Sequence, residues 1–305
     1  MSQIVHISCG SYDRAVTGFE LNLDERAESI PATMVRKYAT AAHGGPVRCV
    51  ASRDQILASG GDDEIIRLYD ISKMIEIGTV MHQEASITHI DFGQNLMVSA
   101  ADDGTIALWF MKDWSHVGTL KAHKGKIVGL AVHPSGILAL SLGADRSLCM
   151  WDLVARKKVL TIKAKSNSSL LKWSPSGSHY MIACDKEARL FDSNGDLGCT
   201  FSNHFKIVSI CFLADAVAVT GGQDGVIRVW DTISGLQRYE LSHHKSRVSA
   251  LDAIKIPGRL LLASSSSDGS IAVWDLDRQP APEVVAVADA KLRVTSMCSV
   301  DTTRL

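Results

Sequence analysis

Short apolar stretches alternate with polar positions along the whole chain, and breaks rich in Gly, Pro, Ser and Asp separate them. The order is clearest from His123 to Ile162. A strand is predicted at Ile127 to Val132, followed by a Pro134-Ser135-Gly136 turn and a second strand ending at Ser141. A tight turn carries Asp145, a third strand runs to Trp151 and Asp152, and a fourth runs from Lys157 to Ile162. Four short strands split by polar turns predict one antiparallel meander.

The same order restarts at His43, His82, His204 and His244. An Asp precedes an aromatic residue by six positions throughout: Asp13/Phe19, Asp63/Tyr69, Asp103/Trp109, Asp145/Trp151, Asp185/Phe191, Asp224/Trp230 and Asp268/Trp274. Successive aromatics lie 50, 40, 42, 40, 39 and 44 residues apart. A period near 40 ending in Trp-Asp marks β-propeller blades. The prediction is an all-β, seven-bladed propeller filling residues 1–305 as one domain, with blades near 43–81, 82–121, 122–163, 164–202, 203–242, 243–288, and 289–305 joined to 1–42. In that last blade Leu292 to Val300 is expected to pair with a strand from Ile4 to Cys9, and Met34 to Thr40 is expected to be its outer strand. Closure of this kind removes sheet edges that would otherwise pair between molecules. An acidic insert, Asn22 to Thr33, explains the first, longer gap.

Polar residues recur with the strands. Ser59, Ser99, Ser141, Thr220 and Ser264 stand ten before the aromatic in the regular units. Each regular unit therefore offers a tetrad: His43, Ser59, Asp63, Tyr69; His82, Ser99, Asp103, Trp109; His123, Ser141, Asp145, Trp151; His204, Thr220, Asp224, Trp230; His244, Ser264, Asp268, Trp274. On these residues the chain resembles the WD-repeat family, in which such side chains form a hydrogen-bonded network within each blade. A buried Asp turn needs donors, which imidazole and hydroxyl groups supply. The fourth unit lacks the opening His and has Met181 in place of Ser or Thr; in the terminal unit Cys9 and Phe19 replace Ser and Trp. Five similar constellations of Ser or Thr, His and Asp around a ring read as a folding device, since a catalytic triad is one constellation with an exposed nucleophile. No Gly-x-Ser-x-Gly elbow occurs, no paired His or Cys spacing supports a metal, and Gly60-Gly61 and Gly221-Gly222 fall in turns with no helix after them. The expectation is no enzyme, no metal and no cofactor.

Composition adds limits. The chain has 32 basic and 33 acidic residues, so any nucleic-acid contact must come from a local patch. Seven scattered Cys suit a reducing compartment. The opening MSQIVHISCG does not read as a signal peptide, and no apolar stretch is long enough to predict a membrane span. The patch appears in the blade-opening loops, which gather Lys121, Lys124, Lys126, Lys163, Lys165, Lys206, Lys245, Arg247, Lys291 and Arg293 on one expected face. Arg14, Arg146 and Lys186 add to it from neighbouring turns. The functional reading is a docking surface for RNA phosphate or an acidic peptide; the alternative is ordinary solvated loop charge. Trp114, expected near an outer edge strand, reads either as a partner contact or as packing across blades. Trp173 is expected to pack at the base of the fourth blade.

Longer segments narrow the resemblance. KAHKGKIVGLAVHPSGILALSLGADRSLCMWDLV (121–154), KWSPSG (172–177), SKMIEIGTVMH (72–82), IPGRLLLASSSSDGSIAVW (256–274) and the opening ISCGSYDRAVTGFEL are similar to the p21-activated kinase-interacting WD-repeat family. That resemblance implies a non-enzymatic, monomeric scaffold of the nucleus and nucleolus. Its implied role is ribosome biogenesis, with assembly factors and the pre-60S particle as partners and with rRNA contact through the basic loops. Family members usually continue into a Lys-rich tail, and none is read before Leu305. The alternative from the same resemblance is a signalling scaffold that restrains a p21-activated-type kinase. A ubiquitin-ligase substrate receptor is disfavoured, because WFMK, WDLV, WDTI and WDLD lack Arg in the fourth place.

Overall fold

Strand alternation and turn chemistry place seven four-stranded antiparallel sheets in a ring in the computed structural model, which describes residues 2–24, 33–165, 167–256, 258–278 and 281–301. No helix occurs among them. Six sheets take their strands in chain order; we number these blades 1 to 6 from residue 47 onward. Blade 7 is composite, with Val294–Asp301 innermost, then Ser2–Ser11, Ala15–Asp24 and Thr33–Ala41. The closing pair runs Val5 opposite Asp301, Cys9 opposite Met297 and Ser11 opposite Val294. The terminal strand thus starts two residues later and ends one later than the sequence suggests.

The insert is in part a longer hairpin, because Asn22 pairs with Thr33. Its middle, 25–32, lies outside the described residues. The innermost strands touch one another around the circle, and each of the seven buried apolar clusters joins two adjacent blades. Burial of apolar area between blades is the main force closing the ring. That force is uneven. The junction of blades 6 and 7 buries 16 clustered residues and that of blades 3 and 4 only seven.

An Asp follows five of the seven aromatics and caps the turn to the outer strand. Asp152 accepts the Ala155 N–H at 2.7 Å, Asp70 that of Lys73 at 3.0 Å and Asp231 that of Ser234 at 2.8 Å. The Trp-Asp ending is thus a local device: the ring packs inward and the carboxylate stops the strand.

Candidate docking face and the networks beneath it

Beneath the face formed by the opening loops, a Trp N–H can only donate and a carboxylate only accept, so each chain of bonds has one direction. In blade 3, Trp151 donates to Ser141 Oγ at 2.8 Å, and Ser141 lies 2.7 Å from His123 Nε2. His123 Nδ1 is 3.1 Å from Asp145 and 2.9 Å from Ser147 Oγ. Asp145 also accepts the Lys124 and Ser147 N–H groups and the Ser147 hydroxyl. Burial works to raise the Asp145 pKa, but these donors and His123 hold it down at about 2. Blade 1 is similar: His43 bridges Ser59 at 2.7 Å and Asp63 at 2.8 Å, and the Tyr69 hydroxyl is 3.4 Å from Ser59. In blade 6, Trp274 donates to Ser264, and His244 reaches Asp268 through the Ser270 hydroxyl.

Two blades correct the sequence reading. His82 is exposed, stacked on His116 with ring centroids 3.6 Å apart, and Gln83 is the buried residue. Gln83 accepts from Ser99 at 2.6 Å and donates to Thr105, whose hydroxyl reaches Asp103. Likewise His204 is exposed, and buried Asn203 lies 3.2 Å from Thr220 Oγ. Asp224 has no imidazole and pairs with the buried Arg228 at 2.9 Å. The place that counts is four residues before the first paired residue of the inner strand. His43, Gln83, His123, Asn203 and His244 hold it ahead of Val47, Ile87, Ile127, Ile207 and Val248. The hydroxyls of Thr105, Ser147 and Ser270, two residues after the Asp, are also part of the networks; an Asp-x-Ser/Thr spacing is the signal for them.

In blades 4 and 7 both ends of the chain become apolar together: Met181 with Phe191, and Cys9 with Phe19. Replacing both partners avoids an orphaned polar group. Asp13 keeps one function, accepting the Arg293 N–H at 2.9 Å from the closing segment.

Burial lowers the pKa of His43 and of His123, against the opposing pull of Asp63 and Asp145. Burial pushes His244 down to about 4, with His243 adding to it, and pushes His89 in the central channel down to about 4, with Lys172 adding to it. These imidazoles are neutral when folded and take up protons on unfolding below pH 6.5. Stability therefore falls as pH drops from about 6.5 toward 4, by on the order of 3 kcal/mol for a fully depressed His. Asp252, raised by burial, works the other way. Chemical denaturation at pH 7.5, 6, 5 and 4.5 checks this; a flat profile would refute neutral buried imidazoles.

The opening loops bond to the turns between second and third strands, as in His123 N–H to Gly104 O and Lys124 N–H to Asp145. Both sets of loops therefore share one face. Lys121, Lys124, Lys126, Lys163, Lys165, Lys206, Lys245, Arg247, Lys291 and Arg293 are all exposed. Lys126 pairs with Asp102 at 2.8 Å and Lys165 with Glu187 at 2.8 Å. Arg293 lies over the Tyr12 ring at 5.3 Å. The face is lopsided: its acids concentrate in the Gly61-Asp62-Asp63-Glu64 and Ala101-Asp102-Asp103-Gly104 turns of blades 1 and 2.

A central channel of about 200 Å³ is lined by the inner strands. There Asp91 accepts the Val132 N–H of the next blade at 2.8 Å, and Asp252 accepts the Ser299 N–H and hydroxyl, each at 2.6 Å. Burial opposes the charge on Lys172, yet Asp91 and Asp252 raise its pKa. These charges tie blades to their neighbours. Trp114 is half-buried against the apolar cluster of blades 1 and 2, in the turn before the outer strand His116–Lys121. Trp173 packs edge-on to His133 at 4.8 Å and Tyr180 at 5.3 Å.

A ring of four-stranded blades tied by Trp, Ser/Thr and His or an amide defines a WD-repeat propeller, a class of interaction scaffold. Residues 35–70, 76–109, 114–152, 195–231 and 235–275 match the family model described as WD domain, G-beta repeat. The chain is 32% identical to a Xenopus laevis protein named p21-activated protein kinase-interacting protein 1-like, over 97% of this chain and 82% of that one. It is 31% identical to the human p21-activated protein kinase-interacting protein 1, over 96% and 76%. It is also 24% identical to Protein MAK11 of Saccharomyces cerevisiae, over 96% and 82%. The chain belongs to the p21-activated kinase-interacting protein family of WD-repeat proteins.

Proposed function

We propose that the protein is a non-enzymatic, monomeric scaffold of ribosome biogenesis. On this reading it works in the nucleus and nucleolus and docks on pre-60S particles through the face carrying the opening loops of blades 3 to 7. The observation behind this is the charge state of that face. Eight of its ten candidate cations have no ion-pair partner among the described residues, the exceptions being Lys126 and Lys165. The neighbouring Asp145, Asp224 and Asp268 are engaged within the blades. An array of free cations on a neutral chain suits a polyanion whose counterions are released on binding. Family membership supports the same reading.

The test is sucrose-gradient sedimentation of wild type and of Lys124→Glu/Lys165→Glu/Lys206→Glu/Lys245→Glu, with circular dichroism as a folding control. The variant stays folded, because all four side chains are solvated. It loses association with precursor particles, and the remaining binding depends less on salt, by roughly 0.7–0.9 in log–log slope per lost phosphate contact. A folded variant that co-sediments like wild type rules out this face. The names of the human relative and of the Schizosaccharomyces pombe Shk1 kinase-binding protein 15, 31% identical over 276 residues, favour a second reading as a kinase-binding signalling scaffold. That reading takes first place if wild type purifies with a kinase and without precursor ribosomal RNA.

A further inference from the structure

The junction of blades 3 and 4 holds a cavity of about 440 Å³ opening on the loop face. Its origin lies in the sequence. Ala164 donates its N–H to Arg146 O as His123 does to Gly104 O and His43 to Arg14 O, and it stands four residues before Ser168, where the inner strand of blade 4 begins pairing. Blade 4 thus has a methyl group where blades 1, 3 and 6 have an imidazole. Blade 7 makes the same replacement at Ala290 but packs Leu292 against the adjoining apolar cluster. Blade 4 leaves its space open, beside the smallest apolar cluster in the ring.

The lining has a distinct chemistry. Arg146 and Lys206 border the cavity, and neither side chain has a hydrogen bond or ion pair among the described residues. The Asn167 amide and the Ser169 hydroxyl are likewise without partners among the described residues, and Lys165 is held by Glu187. Asp185, in the two-residue turn between Cys184 and Glu187, makes no side-chain hydrogen bond there. Two free cations, an amide and a hydroxyl line the cavity together with one unused acceptor.

We propose that this cavity receives a phosphorylated serine or threonine side chain of a protein partner. A phosphomonoester carries close to two charges and three acceptor oxygens, which match Arg146, Lys206 and the neutral donors. Asp185 would repel a second phosphate but can accept an adjacent peptide N–H. Single-stranded RNA fits less well, because no aromatic ring among the described residues lines the cavity to stack a base, and base stacking is the usual means of holding one. Lys165 and Lys206 also belong to the charge-reversal set, so the test centres on Arg146, which lies outside it. Arg146 has φ 64°, at the turn position that Gly104, Gly225 and Gly269 hold in blades 2, 5 and 6, so Arg146→Gly removes the guanidinium without straining the turn.

The experiment is an amide-shift NMR titration of the whole chain with an acetylated, amidated Gly-Gly-phosphoSer-Gly-Gly peptide. The comparison ligands are its unphosphorylated form, its Glu analogue and a ten-nucleotide oligo-uridine. The phosphopeptide should give saturable shifts at Arg146, Asn167, Ser169 and Lys206, the unphosphorylated peptide none, and Arg146→Gly/Lys206→Ala should weaken binding at least tenfold with an unchanged melting temperature. Shifts that never saturate, or that spread evenly over all the loops, overturn the proposal. Equal binding of the Glu peptide overturns the phosphoryl assignment, and tighter binding of the RNA at the same amides assigns the cavity to nucleic acid instead. None of these results depends on whether the protein meets pre-60S particles.

Discussion

Deleting residues 290–305 should convert the folded protein into aggregate, or lower its melting temperature so far that no native transition remains at 37 °C. The deleted segment supplies the inner strand of blade 7. Its Val294, Met297 and Cys298 are buried, two of them in the cluster that joins blades 6 and 7. Thr295 donates to the backbone carbonyls of Gly10 and Val47, and Ser299 bonds to Asp252 of blade 6. Burial of such side chains contributes about 1.5–3 kcal/mol each. The loss is comparable with the whole stability of a typical domain, about 5–15 kcal/mol. Deletion also opens the edge of Ser2–Ser11 to pairing between molecules. Size-exclusion chromatography and thermal circular dichroism give the reading. A soluble deletion protein that elutes and melts like wild type would mean that the ring closes without this strand.

Asp145→Ala should cost about 2–3 kcal/mol, and Asp103→Ala about 1 kcal/mol. The difference comes from what each carboxylate holds. Asp145 accepts from the Lys124 and Ser147 N–H groups, the Ser147 hydroxyl and His123, tying an opening loop to its turn. Asp103 accepts only from Thr105 N–H and its hydroxyl among the described residues, because Gln83 stops at Thr105. Removing Asp145 takes the shared acceptor from four donors and leaves Nδ1 of the fully enclosed His123 with the Ser147 hydroxyl alone. Urea unfolding of both variants compares them directly. Equal losses would show that the direct His–Asp contact adds nothing over the relay through Thr105.

The networks show where sequence reading fails and why. The Trp, Ser or Thr and Asp of the regular blades sit inside or beside strands, whose two-residue alternation and fixed turns preserve spacing. The fourth member sits in a connecting loop of variable length. There a His one residue out of place, His82 or His204, faces solvent while Gln83 or Asn203 turns inward. Identity misled and position did not: counting back from Ile87 and Ile207 would have selected the buried residue. The opening of the ring between its terminal strands was legible, because an unpaired second strand at Ile4 and an unpaired first strand at Leu292 complete each other. The basic loops were legible as a group, but not the capture of Lys126 by Asp102 of the neighbouring blade or of Lys165 by Glu187 of its own blade.

The 40-residue period and its Trp-Asp endings thus determined the blade number, the strand order and the shared blade, since these follow from local alternation repeated around a ring that must close. The tertiary structure alone decided which polar residue completes each network and which cations stay free. It also decided that Ala164 leaves a cavity where Ala290 does not, because Leu292 packs beside the latter. Those outcomes depend on how the connecting loops pack onto the blades, where a shift of one residue exchanges a buried side chain for a solvated one while leaving the strand pattern unchanged.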